Sequence, residues 1–245
     1  MMSKATGIFV ALVVCSLMSA CGGGSGSTPS NDGTKVPPPV VSTASFQLKA
    51  ALADDLGKSY RRAFTIAGTV VGEALTGSGE EYTYGLAQGR VGSSDGFIKS
   101  IYRNWSWSSQ NKASRRIGFD QTLLLDASNQ LLIDTDRSSY LAYVNGAATL
   151  PETGKVNTSG SYFEAGLYTD GTKATQVGTR TGTYAVLPDT ATTALLKITT
   201  VNRFNASGAE TSESRILRIT PSGVSNLVST TIHESNGLDM TYTYQ

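Results

Sequence analysis

Apolar and polar residues alternate along most of the chain beyond residue 57. In the last segment, 238–244, leucine, methionine and tyrosines alternate with aspartate and threonines. Segments 64–70 and 82–87 follow the same pattern. A period of two with one apolar face is typical of an antiparallel strand that buries one face. The sequence therefore predicts an all-β domain of half-buried strands.

Turn residues divide the last third of the chain at regular intervals, at 170–171, 205–208, 221–223 and 236–237. Asx and Gly residues supply the positive φ angles that tight hairpins require. Short strands at this spacing predict an antiparallel up-and-down meander, which either closes into a barrel or stacks as a sandwich. The pattern leaves both architectures open.

One segment has a helical rather than a strand pattern. Within residues 44–57, Leu48, Leu52 and Leu56 recur every four positions, and Gly57 provides a stop signal. We expect one short helix there, before the strands begin.

The amino terminus has a different composition. Lys4 precedes an apolar run at 7–17, and small residues precede Cys21, which together form a secretory signal peptide. The cysteine at the cleavage point resembles the lipobox of bacterial lipoproteins, with Met18 where that family usually has leucine. The resemblance implies lipidation of Cys21, and Gly22 after it implies the outer membrane. The alternative is an ordinary signal peptide that leaves a free thiol.

Glycine, serine and proline dominate residues 22–41, a composition that cannot bury enough apolar surface to fold. We therefore expect a signal peptide at 1–20, a lipidated cysteine with a disordered tether at 21–41, and a single β-rich domain at 42–245. Both cysteines, Cys15 and Cys21, precede that domain, so an apolar core has to hold it together without disulfides.

Charge narrows the range of partners. The chain carries 20 Lys and Arg against 19 Asp and Glu, and Lys4 leaves with the signal peptide. Such a balance argues against nucleic acid as a partner. Lys197, Arg203 and Arg218 fall on the polar faces of their strands, which favours a domain in water. The expected partners are the membrane, through the lipid, and an unidentified small molecule or envelope protein.

Three segments of the domain resemble a wider group. The stretches 64–69, 182–188 and 194–218 are similar to those of uncharacterised β-rich outer-membrane lipoproteins of Gram-negative bacteria, which share the tether as well. The resemblance implies a location and a β-rich fold, and it transfers no functional residue.

A possible catalytic motif, G-x-S-x-G, occurs at residues 92–96 around Ser94. In serine hydrolases this motif places the serine on a strand-to-helix turn, beside a histidine that takes its proton. His233 is the one histidine of the chain. Because residues 97–107 have a strand pattern, no helix follows Ser94. We therefore expect a hairpin loop here, and a hydrolase using Ser94 and His233 is the alternative function.

Metal and cofactor motifs are weak. Asp126, Asp134 and Asp136 lie near one another in the sequence, but calcium loops need several oxygen ligands within one turn. We interpret them as solvated carboxylates at a strand end. The sequence contains neither a zinc ligand set nor a phosphate-binding loop, so no metal or cofactor is expected.

Trp105 and Trp107 are the most suggestive pair. Their spacing of two places both indoles on one side of a strand, together with Ile101. Aromatic side chains on one sheet face either form core or line a ligand cavity. Lys99 and Arg103 share this face by parity, which suggests an accessible interior or a bulge.

Two classes of function remain. The first is a lipid-anchored envelope protein with a non-catalytic binding or structural domain, whose ligand, apolar or glycan, lies near Trp105 and Trp107. The second is the serine hydrolase.

Overall fold

The computed structural model describes residues 42–116, 118–135 and 140–245. The predicted signal peptide, Cys21, the tether and Asp136 lie outside the described residues. No helix in the described ranges is long and apolar enough to cross a membrane.

The described chain contains one helix and sixteen strands. In chain order these are β1 (Phe46–Gln47), α1 (Leu48–Gly57), β2 (Tyr60–Val70), β3 (Glu73–Thr83), β4 (Ala87–Val91), β5 (Ser94–Ser108), β6 (Ala113–Arg116), β7 (Phe119–Leu125), β8 (Leu131–Thr135), β9 (Leu141–Val144), β10 (Thr153–Gly154), β11 (Ser159–Tyr168), β12 (Gln176–Pro188), β13 (Ala194–Phe204), β14 (Glu210–Ile219), β15 (Ser225–Glu234) and β16 (Leu238–Tyr244).

Twelve of these strands form a closed antiparallel barrel. Its order is β2, β3, β5, β7, β8, β9, β11, β12, β13, β14, β15 and β16, and β16 pairs with β2 to close the ring. β4 and β6 are short additions that pair with the two halves of the long strand β5. The all-β prediction is thus confirmed, with a barrel rather than a sandwich.

Three glycines confirm predicted turns by their positive φ angles: Gly208 at 65°, Gly223 at 85° and Gly237 at 81°. The predicted strand at 82–87 is wrong in its second half, because β3 ends at Thr83. The chain turns there, and the Gly85 amide donates to Ser59 Oγ at 2.6 Å.

The helix covers one end of the barrel. Leu48 and Ala51 are buried in a cluster with Leu196, Leu217 and Leu227 from three barrel strands. The helix is confirmed but starts at Leu48, because the two residues before it pair with β10. We call this the helix end, and the opposite end, bounded by the turns at 71–72, 205–208 and 235–237, the mouth.

Glycines make room for large aromatic side chains inside the barrel. Gly77 and Gly79 on β3 lie opposite Trp107 and Trp105 on β5. A Cβ at Gly79 would lie 2.7 Å from both Trp105 Cβ and Phe64 Cζ. The indoles therefore pack against backbone that carries no side chain, in an apolar cluster formed by β2, β3, β5, β15 and β16.

Candidate functional site

The inward face of β5 carries charge as well as aromatic side chains. Arg103 is fully buried, and its Nε lies 2.6 Å from Oε2 of Glu81, which is itself fully buried directly opposite on β3. Parity correctly placed Arg103 beside the tryptophans. The explanation is neither a bulge nor an open interior at this point, but a buried carboxylate partner.

Glu81 is the centre of a hydrogen-bonded group. It accepts the hydroxyl hydrogens of Tyr60 at 2.5 Å and Tyr244 at 2.7 Å, and Arg215 Nη2 lies 3.7 Å from its Oε1. Burial alone raises the pKa of Glu81, but the charges of Arg103 and Arg215 and the two hydroxyls outweigh it and lower the pKa to about 2. Glu81 therefore stays ionised except at strongly acidic pH, and it anchors this layer.

Lys99 lies two residues before Ile101 on the same inward face and is 2% exposed. Its Nζ donates to the carbonyl oxygen of Lys58 and lies 5.8 Å from the centre of the Tyr60 ring. Burial lowers the pKa of this ammonium to about 8. Burial therefore destabilises the charged form of Lys99.

A cavity of about 340 Å³ opens at the mouth. We call it the mouth cavity. Its lining combines amides, carboxylates, hydroxyls, a guanidinium, an imidazole, one phenyl ring and one aliphatic side chain, from Gln121, Asp134, Arg180, Thr200, Asn202, Phe204, Thr211, Ser212, Glu213, Ile232, His233, Glu234, Ser235 and Asn236. Cavities of this size and composition are suited to small polar molecules.

Arg180 and Asp134 form a buried ion pair in this lining. Arg180 Nη1 lies 2.7 Å from Asp134 Oδ2, and Arg180 Nε donates to Asn202 Oδ1 at 2.6 Å. Gln121 Nε2 donates to the other oxygen of Asp134 at 2.8 Å. The prediction that Asp134 is a solvated strand-end carboxylate is therefore wrong: it points inward and is 2% exposed.

The other acidic residue of that prediction has an ordinary role in a turn. Asp126 Oδ1 accepts the backbone N–H groups of Ser128 and Gln130. In the described ranges no group of three or more His, Cys, Asp or Glu residues is arranged to hold a metal ion.

A second cavity, of about 80 Å³, lies between the mouth cavity and the helix. We call it the inner cavity. It shares Gln121, Asp134 and Thr200 with the mouth cavity. Its walls are mostly apolar, and the charged side chains of Asp55, Lys99 and Arg215 also line it.

Trp105 and Trp107 line neither of these two cavities. Both are over nine-tenths buried, and neither indole Nε1 has a hydrogen-bond acceptor among the residues that the structure describes. They belong to a cluster of buried apolar and aromatic side chains from β2, β3, β5, β15 and β16. A ligand-lining role for the pair stays a prediction.

The structure does not bring Ser94 and His233 together. Ser94 pairs with Val91 in the β4–β5 hairpin, whose turn lies against Tyr143 and Gly171, and Gly92 in that turn has a φ of 59°. His233 is the second-last residue of β15, at the mouth. The hairpin loop expected around Ser94 is therefore what the structure shows.

His233 has closer neighbours of its own. Its Nδ1 contacts Asp239 Oδ1 on β16, and Ser212 lies directly opposite it on β14. No hydrogen bond joins Ser212 to His233 in the described chain. At Ser212, β14 is paired with β13 on one side and with β15 on the other. The backbone N–H groups around Ser212 are therefore taken up by the sheet and are not free to stabilise an oxyanion. Ser212, His233 and Asp239 therefore do not have the geometry of a serine hydrolase site.

No protein-family model, curated protein or solved structure matches this chain. What the protein does must therefore be argued from its own cavities and side chains.

Proposed function

We propose that the protein is a lipid-anchored envelope protein whose barrel binds a small glycan, without catalysis, in the mouth cavity. The observation that carries this proposal is the composition of that cavity, in which polar groups of several kinds surround the buried Arg180–Asp134 pair.

Sugar hydroxyls donate and accept hydrogen bonds at the same time. A matching site therefore needs donors and acceptors side by side, which amides provide through one group. Gln121, Asn202 and Asn236 supply amides, and Glu213 and Glu234 supply carboxylate acceptors. This mixture fits a polyhydroxyl ligand better than a purely apolar one.

An aromatic ring supplies the apolar contact that the carbon-bound hydrogens of a sugar ring prefer. Phe204 lines the cavity, and its ring centre lies 5.4 Å from that of Tyr140. The two rings are tilted by 52° and support each other. The sequence reasoning placed the ligand aromatics at Trp105 and Trp107, whereas this pair lies at the mouth.

The polar groups are held in place before a ligand arrives. Arg180 bonds to Asp134 and Asn202, and Asn202 Nδ2 in turn donates to Thr211 Oγ1 at 3.1 Å. All four residues lie on barrel strands, which are rigid supports. Preorganised donors and acceptors lose little conformational freedom on binding.

The anchor and the outer-membrane location are supported by the sequence, through the signal-peptide pattern, Cys21 and Gly22. Replacing Cys21→Ser in the full chain should move the protein from the membrane fraction to the soluble fraction and abolish incorporation of radiolabelled palmitate. Membrane retention of that variant in carbonate-washed fractions would contradict lipid anchoring.

Glycan binding is tested with the full-length protein by saturation-transfer NMR against glucose, galactose, N-acetylglucosamine and their disaccharides. We expect at least one of these sugars to bind. Asn202→Ala and Phe204→Ala should weaken that binding by about tenfold, since each removes a direct contact.

Arg203→Ala is the matched control. Arg203 lies between the two test residues on β13 but points outward, where it pairs with Glu210 at 2.7 Å. Its replacement should leave sugar binding unchanged. If no sugar of the panel gives a saturable signal, or if Arg203→Ala weakens binding as much as Asn202→Ala, the mouth cavity is not a glycan site.

A further inference from the structure

The inner cavity combines apolar walls with buried cationic groups. Leucine and isoleucine side chains from the helix, β5, β7 and β13 form most of its surface, and Lys99 and Arg215 line it together. An apolar space with a few converging polar groups is a typical setting for a small ligand.

Arg215 has a donor group that makes no hydrogen bond to the described residues. Its Nη1 is buried and has no acceptor among the described residues. The other terminal nitrogen, Nη2, donates to Tyr60 at 3.4 Å and lies 3.7 Å from both Asp55 and Glu81. A buried N–H group without an acceptor is destabilising, so a ligand oxygen at Nη1 would be favoured.

Lys99 is in a similar situation. Its ammonium group can donate three hydrogen bonds, and it makes one, to the Lys58 carbonyl. In the described part of the chain it forms no ion pair. The low pKa of Lys99, about 8, reflects this desolvated charge.

The inner cavity is lined by two basic and two acidic side chains, Lys99 and Arg215 against Asp55 and Asp134. Asp134 is already held by Arg180, whose Nη1 lies 2.7 Å from its Oδ2. The two cations of the cavity therefore share one carboxylate of its lining, Asp55, which lies 3.7 Å from Arg215 Nη2.

We propose that the inner cavity binds a short aliphatic carboxylic acid as its anion. Its carboxylate accepts hydrogen bonds from Arg215 Nη1 and Lys99 Nζ, and its alkyl chain lies against the leucine and isoleucine walls. Guanidinium and ammonium groups are the usual partners of carboxylates in proteins.

The size of the cavity limits the length of the chain. A protein cavity of 150 Å³ holds a benzene molecule, so about 80 Å³ suits a chain of roughly two to four carbons. The ligand would arrive through the mouth cavity, past the shared residues Gln121, Asp134 and Thr200. This site does not depend on glycan binding in the mouth cavity.

The test is a titration of the full-length protein with sodium acetate, propionate, butyrate, hexanoate and decanoate at constant ionic strength, followed by calorimetry and by thermal unfolding. We expect saturable binding with an optimum at propionate or butyrate. Butyramide, which has the same shape without the charge, should bind at least about tenfold more weakly.

Two variants locate the site. Lys99→Met removes one of the two donors and should weaken butyrate binding by about tenfold. Ile198→Phe fills the cavity, keeps every charge and should abolish binding. Lys197→Met is the matched control, because this neighbouring side chain points outward on β13, and it should bind butyrate like the unmodified protein.

The absence of saturable binding by any of these acids would overturn the proposal. So would equal binding of butyramide, or unchanged binding in an Ile198→Phe protein that circular dichroism shows to be folded. Binding that rises steadily up to decanoate would point to an apolar surface site instead, and it too would overturn the proposal.

Discussion

Arg103 on β5 and Glu81 on the adjacent strand β3 are directly opposite each other in the ladder, with Nε and Oε2 2.6 Å apart and neither side chain exposed. Glu81 also receives two tyrosine hydroxyls and lies near Arg215. The middle of this barrel is therefore a layer of ion pairs between apolar clusters. Such a layer is stable only while each charge keeps its partner.

Glu81→Gln should lower the free energy of unfolding by about 3–5 kcal/mol, because it leaves buried arginines without their carboxylate. Chemical denaturation at neutral pH measures this change. Glu80→Gln is the control, since Glu80 pairs with Arg61 on the outer face at 2.9 Å and its side chain is 38% exposed. That variant should lose at most about 1 kcal/mol. Equal losses in the two variants would contradict a special role for the buried layer.

The inward direction of Arg103 could be predicted from the sequence, because a strand alternates faces and the tryptophans identified one face as buried. Its partner could not. Glu81 is apposed to Arg103 by the register of β3 on β5, and register depends on turn lengths and on contacts across the whole sheet. The alternatives drawn from parity, a bulge or an open interior, were therefore incomplete.

The partner of Asp134 in the candidate site could not be predicted from the sequence either. Its position near a strand end suggested a solvated carboxylate, and its true partner, Arg180, lies on β12, which is not adjacent to β8 in the barrel. A contact across the barrel lumen leaves no local pattern in the sequence. The amide-rich lining of the mouth cavity is missed for the same reason, since it is assembled from strands far apart in the chain.

Glu81 should also make stability depend on acidity. Its pKa in the folded protein is about 2, below the ordinary glutamate value of 4.5. Its contribution is therefore complete above pH 4.5 and is lost as pH falls toward 2. We expect the difference in unfolding free energy between the unmodified protein and Glu81→Gln to shrink by about 2 kcal/mol between pH 5 and 3, because the loss, ~1.4 kcal/mol per pH unit, begins near pH 4.5. A difference that stays constant over this interval would show that Glu81 is not held ionised.

Lys99 should also make stability rise with pH, but in the alkaline range. Its pKa in the folded protein is about 8 and its ordinary value is 10.5, so the unfolded chain binds more protons between these values and stability rises with pH there. The groups that face it are Asp55, Arg215, Glu81 and Tyr60. Burial raises the pKa of Tyr60, which reduces stability above about pH 10.

The effect of Lys99 on stability is therefore best measured between pH 8 and about pH 10, that is, between the pKa of Lys99 in the folded protein and the ordinary pKa of tyrosine. Urea unfolding of the unmodified protein should show a rise in stability across this window. Lys99→Met should remove the rise, and the control Lys197→Met should keep it. A rise that persists in Lys99→Met would mean that another group is responsible.

The glycines beneath the tryptophans should not tolerate a side chain. A Cβ at Gly79 would lie 2.4 Å from the Asn104 carbonyl oxygen as well as 2.7 Å from Trp105 Cβ. Because backbone atoms cannot move aside, Gly79→Ala should destabilise the protein by about 1–3 kcal/mol and alter tryptophan fluorescence.

Gly57→Ala is the control. Nothing lies within 4 Å of a Cβ at that helical position. This variant should be neutral or more stable by up to about 1 kcal/mol, since alanine is the better helix former. If Gly79→Ala unfolds like the unmodified protein, with unchanged fluorescence, then the indoles are not seated on the β3 backbone, and a lumen with more open space around Trp105 and Trp107 would have to be considered for ligand binding.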